Sequence, residues 1–344
     1  MNEDNQPMTV LVTGASGYIA MHCILQLLQQ GYKVRGTLRS PAREENLRAT
    51  FAGHVDVGDR LEFVTADLLS DDMWPEAVAG CHFVLHVASP TSEPKDEDEA
   101  IIPARDGTLR VLRAAAGAGL PRVVMTSSVA AVYRGLEPQQ KVFTEDDWSN
   151  ADLPIGAYSK SKTLAERAAW DFVENLPAGN GLELVAINPS YVIGPLLDEH
   201  QPDSVQIVAK LMRRDVPGCP KLGFNLVDVR DVATAHLLAM RAPQAAGKRF
   251  ICAAEHYWYR EIALVLDKHF AARGYRIPTR SLPTFLTRLI ALFDTDVKRV
   301  APALGQRTRM SSQRLRSTLN WTPRPVEEAI VDTAESLIEF DLIK

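Results

Sequence analysis

Short apolar, β-branched runs alternate along the chain with segments whose apolar positions recur every three or four residues. In the first such pair, Val10, Leu11 and Val12 lead through two glycines to Ile19, Ala20, Met21, Ile24, Leu25, Leu27 and Leu28. The run predicts a parallel strand covered on both faces, and the helical spacing after it predicts a helix that Gly31 ends. Further strands are expected over 33–38, 61–66, 83–88, 123–126 and 182–187, with helices between them, notably 100–118 and 157–174. This order implies right-handed crossovers and an α/β, Rossmann-type doubly wound parallel sheet, in which ligands bind beyond the carboxyl ends of the strands.

The alternation stops after Asn188-Pro189, where Gly194, Pro195, Pro202, Pro217, Gly218 and Pro220 punctuate a looser region. One more helix is expected over 228–240 and a returning strand over 249–253. The organisation that follows is a dinucleotide-binding domain of residues 8–190, completed by about 225–254. A smaller, mostly helical substrate lobe takes 191–224 plus 255–344. A length of 344 residues with 46 % hydrophobic content supports a core of that extent.

Charge and cysteine usage narrow the function. A net charge of −5 carries no footprint for nucleic acid, and Lys298, Arg299, Arg307, Arg309, Arg314 and Arg316 read as a solvated basic face. The acidic run 93–99 reads as a solvated loop leading into a helix. No apolar run approaches the roughly 20 residues that span a bilayer, and the first seven residues lack the build of a secretory signal, so a cytoplasmic protein without membrane contact is expected. Cys23, Cys81, Cys219 and Cys252 are far apart and suggest neither a disulfide framework nor a thiolate metal site. His82 and His86 share one face of a strand without a third ligand nearby, so packed histidines and no metal are expected.

Gly14 and Gly17 sit where the first strand turns into its helix, spaced G-x-x-G-x-x-A with Ala20. Gly14 allows a tight turn, Gly17 lets the backbone approach a pyrophosphate, and Ser16, Tyr18 and Ile19 complete the turn and the helix N-terminus that attracts the anion. Where an NAD site usually carries an acidic residue at the end of the second strand, this chain has Arg39. Its guanidinium suits a 2′-phosphate, with Arg43 adding a second positive charge, and a charge-assisted hydrogen bond of about 1.5–3 kcal/mol favours NADP(H) over NAD. Asp67-Leu68 ends the third strand near the expected adenine, and the small residues of Val87-Ala88-Ser89 let the fourth pass close to the cofactor ribose.

Tyr158 and Lys162 are four residues apart at the start of a helix, hence on one face, and follow the strand that ends in Thr126-Ser127-Ser128. Reducing a carbonyl by hydride addition builds an alkoxide, which needs a proton donor and a second hydrogen bond to its oxygen. Tyr158 supplies the proton, Lys162 stabilises the phenolate and holds the nicotinamide ribose, and Ser128 or Ser127 holds the substrate oxygen.

The glycine turn, Arg39, Asp67-Leu68, the run His86-Val87-Ala88-Ser89-Pro90, Ser127-Ser128, Tyr158-Ser159-Lys160-Ser161-Lys162 and Asn188-Pro189-Ser190-Tyr191-Val192-Ile193-Gly194-Pro195 together resemble the extended short-chain dehydrogenase/reductases over nearly the whole chain. Within them the chain looks most like the dihydroflavonol 4-reductase, cinnamoyl-CoA reductase and yeast-type aldehyde or methylglyoxal reductase branch. The resemblance implies an NADPH-dependent carbonyl reductase, reversible as an alcohol dehydrogenase, with Ser128, Tyr158 and Lys162 as its triad and Pro189 and Val192 on the nicotinamide side. Two departures stand out. Ala20 replaces the usual third glycine, and Tyr133 stands where the plant flavonoid reductases carry an asparagine that bonds their substrate. With Pro90, Tyr191 and Phe224, Tyr133 suggests a pocket for an apolar or aromatic carbonyl or alcohol; core packing is the other reading of these rings. A monomer or homodimer is expected. Two rivals remain, an NAD-dependent nucleotide-sugar epimerase or dehydratase of the same fold, and a non-catalytic NADP-binding sensor. Arg39 argues against the first, and the presence of all three triad residues against the second.

Overall fold

The computed structural model describes residues 7–90, 96–137, 141–290 and 301–343, with Leu292 and Lys298. Parts of the sequence reading on residues 1–6, 93–95 and Arg299 lie outside the described residues. Seven strands make one parallel sheet: β1 (Thr9–Val12), β2 (Lys33–Leu38), β3 (Leu61–Thr65), β4 (Phe83–His86), β5 (Arg122–Thr126), then β7 (Glu183–Pro189) and β10 (Lys248–Cys252). Their order is β10-β7-β5-β4-β1-β2-β3, with the chain reversing its direction of travel across the sheet beside β1. The buried pattern of β5, apolar from Val123 to Met125 with no exposed face, is what a strand covered by helices on both sides requires.

Register decides what meets at the carboxyl edge. Val12 pairs with Gly36 on one side and Leu85 on the other, His86 with Met125, Thr126 with Ile187, and Cys252 with Pro189. The segments starting at 13, 87, 127 and 190 therefore leave the sheet side by side, although they come from four distant parts of the chain. The helix Tyr18–Gln29 buries Ala20, Met21, Ile24, Leu25, Leu27 and Leu28. It packs with the helix Val229–Arg241, where Gln26 donates to the Arg230 carbonyl at 2.8 Å. On the other face the helices Asp98–Gly117 and Ala157–Glu174 lie together, bridged by Lys160 and Glu97 at 2.6 Å.

The region read as loose and helical also holds a second sheet. β8 (Tyr191–Ile193) pairs parallel with β9 (Gly223–Asp228), which pairs antiparallel with β11 (Glu255–Trp258). Residues 225–228 pair within this second sheet, and the strand expected over 249–253 returns to the first sheet as β10. A further two-stranded ladder joins β6 (Val142–Phe143) to β12 (Arg309–Met310). Helices Gln206–Met212, Tyr259–Phe270 and Val326–Glu339 share the core beneath the second sheet. Among the described residues no helix is long and apolar enough to cross a membrane.

Candidate active site

The glycine turn is held from behind by a single hydroxyl. Thr13 Oγ1 accepts from the backbone N–H groups of Val87 and Ala88, each at 3.0 Å, and donates to His86 Nδ1 at 2.9 Å. His86 Nε2 in turn donates at 3.1 Å to Thr108 Oγ1, whose own proton goes to the Ala104 carbonyl. This bookkeeping of protons fixes His86 as neutral with its hydrogen on Nε2. Burial, helped by the nearby Lys162 charge, pulls its pKa down to about 3. His82 accepts from the Thr9 N–H at 3.1 Å, so both histidines of the strand are hydrogen-bonded.

Gly14 adopts φ +69°, and a Cβ there would lie 2.9 Å from the Ala88 Cβ, so the two loops touch through the absence of a side chain. Its N–H donates to Thr37 Oγ1, and the next N–H, of Ala15, to the Thr37 carbonyl, both at 2.9 Å. Sequence reading missed Gly36, where a Cβ would meet Ala15 Cβ at 2.7 Å and the Phe63 ring at 2.9 Å. A glycine inside a strand is the signal for such a close approach. Ser16, Gly17, Tyr18 and Ile19 are all partly accessible at the helix start, whose first N–H groups have no carbonyl one turn back. Tyr18 donates to the Gly194 carbonyl at 2.7 Å and so ties the turn to the segment after β8. The cradle, the free helix N-terminus and a cation at the end of β2 suit a dinucleotide carrying phosphate.

Arg39, directly after β2, is exposed and forms no ion pair among the described residues. Arg43 is not equally available, because its Nη2 pairs with Asp198 at 2.6 Å. Asp67 lies beyond β3 and accepts from the Leu69 N–H at 2.9 Å, while Leu68 fills the space that Gly107 leaves open. Ser89 and Pro90, partly buried, follow Ala88 along the same edge.

Beyond β5 the two serines part company. Ser127 is buried and donates at 2.5 Å to Glu166 Oε2. Ser128 Oγ accepts from the Ala130 N–H at 3.1 Å, which leaves its own proton for an outside acceptor. Tyr158 and Lys162 lie on the first turns of the helix Ala157–Glu174, and the Lys162 ammonium is 5.9 Å from the centre of the Tyr158 ring. Lys162 is buried, donates to the Thr126 carbonyl at 3.4 Å, and has its pKa drawn down to about 8 by burial, against the opposing pull of the Glu166 carboxylate. The serines, the Tyr/Lys pair and Pro189, at the end of β7, share one edge of the sheet, and Val192 follows in β8.

The expected aromatic wall divides in two. Tyr191 and Phe224 meet with ring centres 5.0 Å apart, and Phe224 continues to Tyr259 at 6.2 Å. Tyr133 instead packs on Phe143 at 5.9 Å, in a separate cluster with Val129, Val132 and Ile251.

Parallel strands, a glycine cradle at β1 and a Tyr/Lys pair beside β5 define a dinucleotide-binding α/β protein of the extended short-chain dehydrogenase/reductase type. The chain belongs to the NAD dependent epimerase/dehydratase family, whose sequence model matches residues 10–253. Cinnamoyl-CoA reductase 1 of Petunia hybrida is 35 % identical over 341 residues, covering 96 % of this chain and 92 % of that protein. The NADPH-dependent methylglyoxal reductase GRE2 of Saccharomyces cerevisiae is 30 % identical over 354 residues, covering 97 % and 99 %. The crystal structure of yeast methylglyoxal/isovaleraldehyde reductase Gre2 complexed with NADPH superposes with a TM-score of 0.81 at 28 % identity, covering 97 % of this chain and 99 % of that one.

Proposed function

We propose that this chain is an NADPH-dependent carbonyl reductase, converting an aldehyde or ketone to the alcohol with Tyr158 as proton donor. The observation that supports the reading is that Lys162 lies 5.9 Å from the centre of the Tyr158 ring and donates to the Thr126 carbonyl, two residues before Ser128, in a sheet whose β2 is followed directly by a cation, Arg39. Relatives named as NADPH-dependent reductases support the cofactor and the reaction class.

Bound NADPH supplies the hydride. Gly14, Ser16, Gly17, Tyr18 and Ile19 would hold its pyrophosphate, Arg39 its 2′-phosphate, and the loops at Asp67-Leu68 and Val87-Ala88-Ser89 its adenosine and ribose. Ser128, its lone pair engaged by the Ala130 N–H, turns its proton to the carbonyl oxygen and polarises it. Tyr158 delivers a proton to that oxygen as negative charge develops there. Lys162, still largely an ammonium at neutral pH with a pKa of about 8, stabilises the phenolate left behind and reaches the nicotinamide ribose. Ser127 is not available for the substrate oxygen, since its proton is given to Glu166. Tyr191 and Phe224, packed together with ring centres 5.0 Å apart, would offer an apolar or aromatic carbonyl a matching wall.

An epimerase of this fold binds NAD and places an acidic residue where this chain has Arg39, so the reductase is the better reading. The test is NADPH consumption with methylglyoxal, cinnamaldehyde, an α-ketoester and an aryl ketone. Turnover of at least one is expected; tight NADPH binding with no turnover of any overturns the reading and favours a sensor.

A further inference from the structure

We infer that Glu166 is a positioning residue for the reduction, whose carboxylate sets the places of Ser128 and of the β7 end through Ser127 and Asn188. The inference rests on the reductase reading above. Glu166 is fully buried four residues after Lys162 on the same helix. Its Oε2 accepts from Ser127 Oγ at 2.5 Å and from Asn188 Nδ2 at 2.8 Å. Its Oε1 accepts from Arg249 Nε at 2.5 Å and from Trp170 Nε1 at 3.3 Å, and Arg249 Nη2 adds a contact to Oε2 at 3.3 Å.

A buried Arg–Glu pair by itself is a structural device and weak evidence of anything more. Here the carboxylate takes further donors besides the arginine. Besides the Arg249 Nη2 contact, the donors on Oε2 come from Ser127, directly after β5 and before Ser128, and from Asn188, directly before Pro189 at the end of β7. Asn188 Nδ2 also donates to the Ser128 carbonyl at 3.2 Å, so one amide joins the serine's backbone to the carboxylate. The other end of that amide, Oδ1, has no partner among the described residues. A flipped amide would turn its oxygen onto both the Glu166 carboxylate and the Ser128 carbonyl, so these two acceptors together dictate which way Asn188 faces. Arg249 anchors the assembly from β10, stacking 3.6 Å from the centre of the Trp148 ring and donating to the carbonyls of Glu145 and Asp147 at 2.8 Å. Tyr158, Lys162 and Glu166 occupy successive turns of one helix. The carboxylate therefore ties the helix that carries the proton donor to the strand end that carries the serine.

Position matters at this scale, because a shift of about 1 Å between reacting groups lowers a rate by up to a hundredfold without unfolding the protein. The test uses the full chain with methylglyoxal as substrate, comparing wild type, Ser127→Ala and Glu166→Gln for kcat, KM, NADPH dissociation constant and thermal midpoint. Ser127→Ala leaves the Glu166–Arg249 pair intact, so it decides the question even where Glu166→Gln does not fold. The expected result is a kcat about ten- to a hundredfold lower in Ser127→Ala, with KM and the NADPH constant within about threefold of wild type. A wild-type kcat in Ser127→Ala, or a loss seen only in KM or in NADPH binding, overturns the inference. A wild type that binds NADPH and reduces none of the carbonyls named above removes the reductase reading and this inference with it.

Discussion

Lys162 carries its ammonium 5.9 Å from the centre of the Tyr158 ring, one helical turn away, in a site closed enough to hold its pKa down to about 8. In the proposed reduction, a charge this close to the ring would favour the phenolate that proton donation leaves. Tyr158→Phe removes the proton and keeps the ring. The kcat for methylglyoxal reduction is expected to fall by about 10²–10⁴, with NADPH affinity nearly unchanged by fluorescence titration. Near-wild-type turnover would remove Tyr158 from the mechanism.

Arg39 is exposed at the end of β2 without an ion-pair partner among the described residues, whereas Arg43 is paired with Asp198 at 2.6 Å. In the proposed reading, recognition of a 2′-phosphate would therefore fall chiefly on Arg39. Arg39→Asp is expected to weaken NADPH binding by about ten- to a hundredfold while leaving NADH affinity equal or improved. An unchanged ratio of the two dissociation constants would show that the phosphate is recognised elsewhere.

Thr13 is buried and serves three partners with one hydroxyl. Thr13→Val has nearly the same shape but strands the N–H groups of Val87 and Ala88 and the Nδ1 of His86. Stability to urea should drop by about 2–3 kcal/mol, and Thr13→Ser should recover much of it. Equal midpoints for the valine and wild-type proteins would mean that this hydroxyl holds nothing together.

Three buried histidines set an acid limit on the fold. Burial draws His22 and His236 down to about 4 and His86 to about 3, so all three are neutral in the folded chain well below the pH at which the unfolded chain protonates them. Below about pH 6.5 the unfolded state binds protons that the folded state refuses, so stability is full above that pH and is lost as pH falls toward 4. Each histidine contributes a slope of about 1 kcal/mol per pH unit in that window. Urea midpoints measured at neutral pH and near pH 5 should differ clearly; coincident midpoints would contradict the buried neutral assignment.

Much of the fold was legible because its signals are local. The helix expected over 157–174 appears as Ala157–Glu174, and the strand expected over 33–38 as Lys33–Leu38, each written in a short run of spacing and punctuation. The second sheet was not legible. β8 has three residues, and the antiparallel partner of β9 is the four-residue β11, some thirty residues on, so neither a long alternating run nor a tight hairpin turn announces them. Tyr133 illustrates a similar limit: its aromatic character is plain in the chain, but its seat on Phe143, apart from Tyr191 and Phe224, depends on how two remote segments pack.

For the chemistry, spacing alone was enough to put Tyr158 beside Lys162 and to build a glycine turn at Gly14, since helix periodicity and a residue's allowed backbone angles act within a few positions of the chain. The choice between Ser127 and Ser128 lay beyond that reach. Each serine has one rotatable hydroxyl, and its direction is set by a partner the neighbouring residues do not reveal. Glu166, 39 residues later, claims the first, while the Ala130 N–H, two residues on, leaves the second free to donate. The pairing of Arg43 with Asp198, across 155 residues, is of the same kind. Hydrogen bonds and ion pairs act only over a few ångströms, and which distant groups come within that distance is a property of the packed chain.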